Sequence, residues 1–236
     1  AGWPKPQSPS IPNFNIPSAG RRNRTSMMNG KTISTEQAGA TAKADGFRSA
    51  KFGMDEAAVV KAIAADFNVK AADIKSAVNP VERTTVMTIR VAEVMEGAGT
   101  AEISYVLGYK SKALTQVSVL WAPEIDASSD PDKLLANGQA LQAYFIGAGY
   151  KPESIVTNVV LPEGIVLFRG TSADDHLTVL LLTGEMSTPT ETASAESKDK
   201  ATEKAALPRL TPTGLLLSYV ANAAEPDVFK IEPGKF

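Results

Sequence analysis

The chain has no cysteine in its 236 residues. That excludes disulfides, thiolate metal sites, cysteine nucleophiles and an acylated cysteine anchor within this sequence. Histidine, the usual acid–base residue near neutral pH, occurs once, as His176. Long apolar runs are missing too. Nothing approaches the roughly 18–20 residues that a membrane-spanning helix needs, and the strongest run, Leu177–Leu182, has the length of a strand. No G-x-S-x-G elbow, phosphate-binding loop or EF-hand pattern is present, and Gly97-Ala98-Gly99 lacks the third glycine of a dinucleotide fingerprint. The carboxylate pairs Asp55-Glu56 and Asp174-Asp175 fall at a helix start and a turn, where capping accounts for them. Asp174-Asp175-His176 offers ligand chemistry for a divalent metal. Adjacent residues rarely converge on one ion, so the triplet is expected to be a polar turn whose aspartates bind backbone amides. The sequence therefore names no reaction, and no catalytic residue, metal or cofactor is expected.

Hydrophobic residues make up 43% and charged residues 21%, which suits a folded domain in water. The net charge of −2 is unevenly spread. Residues 1–45 hold six positive side chains (Lys5, Arg21, Arg22, Arg24, Lys31, Lys43) against Glu36 and Asp45, so the rest of the chain is acidic. An acidic body with a basic arm argues against nucleic-acid binding by the folded part. The arm, residues 1–46, has five prolines in its first twenty positions and no repeating apolar face. It reads as extended and largely polyproline-II, with too little apolar surface to fold alone. Trp3, Ile11, Phe14 and Ile16 are greasy for a solvated tail; spaced along a stiff backbone, they fit segments that dock into grooves. Arg21, Arg22 and Arg24 would add electrostatic register.

Behind the arm the periodicity predicts an α+β body, with an antiparallel sheet and helices on one face. Residues 47–123 read as an α-α-β-β-β unit. Asp55 caps the helix EAAVVKAIAADF, Ala71–Ala77 forms a second short helix, and strands follow at Arg83–Val94, Glu102–Tyr109 and Leu114–Trp121. Residues 124–236 repeat the order as α-β-β-β: a helix Pro131–Gly147 capped by Asp130, then strands Ser154–Leu161, Ile165–Gly170 and Leu177–Thr183. A polar linker spans 187–208, and a final strand, Leu215–Val220, leads into an extended tail.

The stretch Phe52-Gly53-Met54-Asp55-Glu56-Ala57-Ala58-Val59, with the meander behind it, resembles the SmpA/BamE-like small-domain pattern of bacterial envelopes, over about 70 residues through Trp121. A tandem of such units is similar to the fold of beta-lactamase inhibitory protein. The resemblance implies two helices on a three-stranded sheet and a binding or scaffold role. The chain departs from envelope lipoproteins of this kind in having no cysteine to acylate. It begins at Ala1, as an exported protein does after signal-peptide removal. The expected function is a non-catalytic accessory subunit of a periplasmic envelope assembly, docked by its arm to other protein subunits and meeting a membrane surface only through a partner. The alternative is a monomeric periplasmic small-molecule or peptide-binding protein.

Overall fold

Two short sequences set the rhythm of the body. After the first helix comes Asn68-Val69-Lys70-Ala71-Ala72-Asp73-Ile74, and after the second comes Gly149-Tyr150-Lys151-Pro152-Glu153-Ser154-Ile155. In each, a left-handed residue stops the helix (Asn68 at φ 52°, Gly149 at φ 83°) and a single 3₁₀ turn follows, Ala71–Asp73 or Pro152–Ser154. Asparagine and glycine are the residues that adopt this conformation at least cost. The structure, a computed structural model, describes residues 40–187, 209–231 and 234.

The helices are α1 (Glu56–Phe67) and α2 (Pro131–Gly147). Each begins on an aspartate whose carboxylate accepts an amide N–H three residues on, Asp55 from Ala58 and Asp130 from Lys133, both at 2.8 Å. Two two-residue strands, β1 (Gly46–Phe47) and β2 (Ala50–Lys51), form a small hairpin before α1. One eight-stranded antiparallel sheet holds the rest: β3 (Lys75–Val78), β4 (Thr85–Val91), β5 (Ala101–Leu107), β6 (Leu114–Trp121), β7 (Val159–Leu161), β8 (Gly164–Thr171), β9 (Leu177–Ser187) and β10 (Arg209–Val220). Their order is β3-β4-β5-β6-β10-β9-β8-β7. Each half is thus a four-stranded meander, and the halves join through their last strands. Ser118 faces Ser218 at the centre of that seam, their hydroxyls 2.9 Å apart.

The α+β class and the helices on one face are as the periodicity implied. The first unit, however, has one strand more than expected. The anticipated helix at Ala71–Ala77 is a 3₁₀ turn followed by β3, because Lys75–Val78 pairs with Thr85–Thr88 and the ladder bonds override the local helix preference of Ala71 and Ala72. Ser154–Leu161 likewise divides into a 3₁₀ turn and the short β7. The strand expected at Arg83–Val94 is Thr85–Val91, and the final strand is longer than anticipated, starting at Arg209. The arm lies outside the described residues except for 40–46.

Both helices cover the same face. Val59 and Ile63 of α1 and Leu134 and Phe145 of α2 share one core with Ile89, Ile103, Val119, Leu217, Leu180 and Phe168, which form one row across six strands. Gly138 lets α2 approach closely; a Cβ there would press on the Leu167 and Leu215 side chains. The helix-free face carries a smaller cluster of Val166, Leu181 and Leu216.

Candidate interaction surface

Strand registers bring the β3–β4 turn, the β5–β6 hairpin, the end of β10 and the β8–β9 turn to one end of the sheet. Thr85 faces Leu107, Gln116 faces Val220, and Val220 faces Leu177. Both ends of the described chain fasten here, each to the half it does not belong to.

The N-terminal segment runs onto the second half. The amides of Thr41 and Ala42 both donate to the Gly149 carbonyl at 2.9 Å, and the Ala173 amide donates to the Ala42 carbonyl at 3.0 Å. Ala42 and Ala44 are buried, and only small side chains fit so tight a crossing. The chain then passes Phe47, which stacks on Phe67 and on Tyr219. Lys51 pairs with Asp45 at 2.9 Å, and this bond holds the Asp45 carboxyl below its ordinary range.

The C-terminal segment runs the other way, across the first half. The Ala221 amide donates to the Thr115 carbonyl, and the Asn222 side chain accepts from the Ala224 and Glu225 amides. Asp227 then clasps the β5–β6 hairpin. Its carboxylate accepts the Lys110 and Ser111 amides at 2.9 Å each, and its carbonyl accepts the Tyr109 amide. Partial burial raises its pKa, but the Ser111 hydroxyl and the two amides outweigh that and lower it overall. Gly108 is required by proximity, since a Cβ there would collide with this carboxylate. Two residues on, the Phe229 amide donates to the Glu82 carbonyl at 2.8 Å. Its ring meets Tyr109 edge-on at 5.4 Å and lies under the Arg83 guanidinium at 3.7 Å. Arg83 is held at φ 54° by a turn in which the Asn79 side chain accepts the Val81 and Glu82 amides.

Between this strap and the hairpin lies an open groove of about 850 Å³, lined among others by Tyr109, Lys110, Glu225, Pro226, Phe229 and Ile231. Beside it Val78, Val81 and Ile231 are 63%, 77% and 58% exposed. The edge strand β3 is exposed along its whole length. Aromatic and aliphatic surface beside an exposed edge strand is what binding segments use.

The partner-binding residues expected from the sequence, Trp3, Ile11, Phe14, Ile16, Arg21, Arg22 and Arg24, lie outside the described residues. The Asp174-Asp175-His176 triplet forms the β8–β9 turn. Asp175 sits at φ 64° and pairs with Lys151, and the His176 ring packs edge-on against Phe52 at 5.0 Å. Among the described residues no three histidine, aspartate or glutamate side chains gather as metal ligands, and no helix is long and apolar enough to cross a membrane. Sequence reasoning missed Asp227, Asn79 and Asn222. Asn79-Pro80 and Pro226-Asp227 are turn signals, but a turn signal does not reveal what the turn will grip. No protein-family model, curated protein or solved structure matches this chain.

Proposed function

We propose that the protein is a non-catalytic accessory subunit of an exported, envelope-associated protein assembly, and that the sheet end fastened by both chain segments is its docking end. One observation carries this reading. Thr41 and Ala42 are fastened to Gly149 and Ala173 at the same sheet end that gathers the groove, the edge strand β3 and the exposed Val78, Val81 and Ile231. An arm leaving there, with Trp3, Ile11, Phe14 and Ile16 as anchors, engages a neighbouring subunit alongside that surface. The SmpA/BamE-like resemblance supports the same role. Tagged full-length protein should recover a defined, stoichiometric complex from an envelope fraction. The same chain with Trp3, Ile11, Phe14 and Ile16 changed to serine should not. Equal recovery by both would refute arm docking.

The second reading, a monomeric periplasmic peptide or small-molecule binder, is favoured by the Tyr109–Phe229 groove. It predicts a bound ligand in natively purified protein and indifference to the arm substitutions.

A further inference from the structure

The groove between the C-terminal strap and the β5–β6 hairpin carries a charge that the acidic body around it does not share. Among its lining residues, Lys110 and Lys230 stand against Glu225 and Asp227. Asp227 is committed to the Lys110 and Ser111 amides and the Ser111 hydroxyl. Two further cations lie on the aromatic pair. The Arg83 guanidinium sits over the Phe229 ring at 3.7 Å, and the Lys112 ammonium over the Tyr109 ring at 5.2 Å. Among the described residues neither charged group forms an ion pair, with Glu82, Glu225 or any other acid. Both residues stand in the left-handed region, at φ 54° each. Asparagine or glycine adopts that backbone at lower cost, so long basic side chains occupy both positions against local preference. Turns hold them there: the Arg83 amide donates to the Asn79 carbonyl at 2.8 Å, and the Lys112 amide to the Gly108 carbonyl at 3.2 Å.

We propose that this groove receives an acidic segment of a partner protein, an extended stretch in which aspartate or glutamate alternates with aliphatic or aromatic side chains. Charge complementarity selects the occupant. The lining charges cancel, and Arg83 and Lys112 leave a positive surplus on a body that is otherwise acidic. A guanidinium resting on a ring spends no N–H on a hydrogen bond, and its donors match the two oxygens of a carboxylate. Side chains of an extended segment point alternately to either side. Its carboxylates meet Arg83, Lys112 and Lys230, and its apolar side chains cover Tyr109, Phe229 and Ile231. A nucleic acid fits less well, because a long polyanion would run on from the groove over the acidic body, whereas a short segment ends within it. The inference deepens the assembly reading: it rests on that reading for the partner being a protein, and it gives the partner its chemistry.

The test is selection from a random dodecamer peptide library displayed on phage, with the full-length protein as bait. Recovered sequences should be enriched in aspartate and glutamate interleaved with aliphatic or aromatic residues. The strongest of them, synthesised with a fluorescent label, is then titrated by anisotropy. Arg83→Gln and Lys112→Gln should each weaken binding about ten-fold, while Lys61→Gln/Lys70→Gln, at exposed cations near α1, should leave it unchanged. Glu225→Gln should tighten binding, a gain that a misfolded variant cannot give. A pool without acidic enrichment, a peptide indifferent to Arg83→Gln and Lys112→Gln, or tighter binding of oligothymidine than of the peptide would each overturn the proposal. The arm is a separate matter. Arm-dependent recovery of a complex beside a pool without acidic sequences would leave the assembly reading standing and overturn this one.

Discussion

The two halves of the sheet share a plan and differ in how many faces they bury. A half-turn about the Ser118–Ser218 pair carries β5 onto β9 and β6 onto β10. On the helix-free face it lays Ser104 on Val179, Gln116 on Leu216 and Glu102 on Leu177. The first half is polar there. Arg90 pairs with Glu102 at 3.2 Å, and the Gln116 side chain donates to the Ser118 hydroxyl at 3.0 Å. The second half is apolar and buried there, at Val166, Val179, Leu181 and Leu216. Alternation along β5 (buried and half-buried in strict turn) is what one-sided packing selects. The unbroken Leu-Thr-Val-Leu-Leu-Leu of β9 is what two-sided burial selects. A repeated architecture therefore does not imply a repeated sequence, since the second half buries both faces of its sheet and the first half mainly one.

The largest test removes a core side chain specific to one half. Phe168 is fully buried, stacks on Phe145 at 5.3 Å and meets Tyr150 edge-on at 5.1 Å. Phe168→Ala should cost about 3–5 kcal/mol in urea denaturation. Next comes an exchange across the pseudo-symmetry. Leu216→Gln should lose about 2–3 kcal/mol, because an amide replaces buried methyl groups. The reciprocal Gln116→Leu should stay within about 1 kcal/mol; equal costs would dissolve the contrast between the halves. The helix starts should behave alike, with Asp55→Ala and Asp130→Ala each costing about 1 kcal/mol in thermal melts.

A pH series gives a smaller effect confined to loops. The Asp126 carboxylate accepts the Thr100 and Ser128 amides, at 2.8 and 2.9 Å, and these bonds bring its pKa down to about 2. Asp45 and Asp227 are lowered as well. A depressed carboxyl stabilises the fold fully above its unfolded value of about 4 and loses that contribution as pH falls through the folded value. Stability should therefore decline from about pH 4 toward pH 2, and Asp126→Asn should flatten the slope. The smallest effect is a gain. The Tyr105 hydroxyl is buried without a hydrogen-bond partner, and burial raises its pKa. Tyr105→Phe should leave stability unchanged or raise it by up to about 1 kcal/mol.

Much of this plan was legible in the sequence, and particular residues show where legibility stopped. Asp55 and Asp130 announced both helices because a cap is a local interaction. The alternation in β5 and β6 announced one buried face. Lys75–Val78 did not read as a strand, because its ladder partner lies across a turn and its own residues are small and exposed. The repeat was visible only as an order of elements, although Lys70–Ile74 and Lys151–Ile155 carry it in matching residues. The grip of Asp227 on Lys110 and Ser111 joins residues more than a hundred positions apart, and no local pattern encodes such a contact. The candidate surface forms only once those distant pieces meet.

The most direct test of the docking end again sets one half against the other. Val78 and Val160 occupy the outer strands of the two halves and are both exposed. Full-length protein with Val78, Val81 and Ile231 changed to glutamate should lose the complex recovered from an envelope fraction. A matched variant with Leu135, Ile146 and Val160 changed to glutamate should retain it. Loss in the second variant with retention in the first would contradict the placement of the docking end.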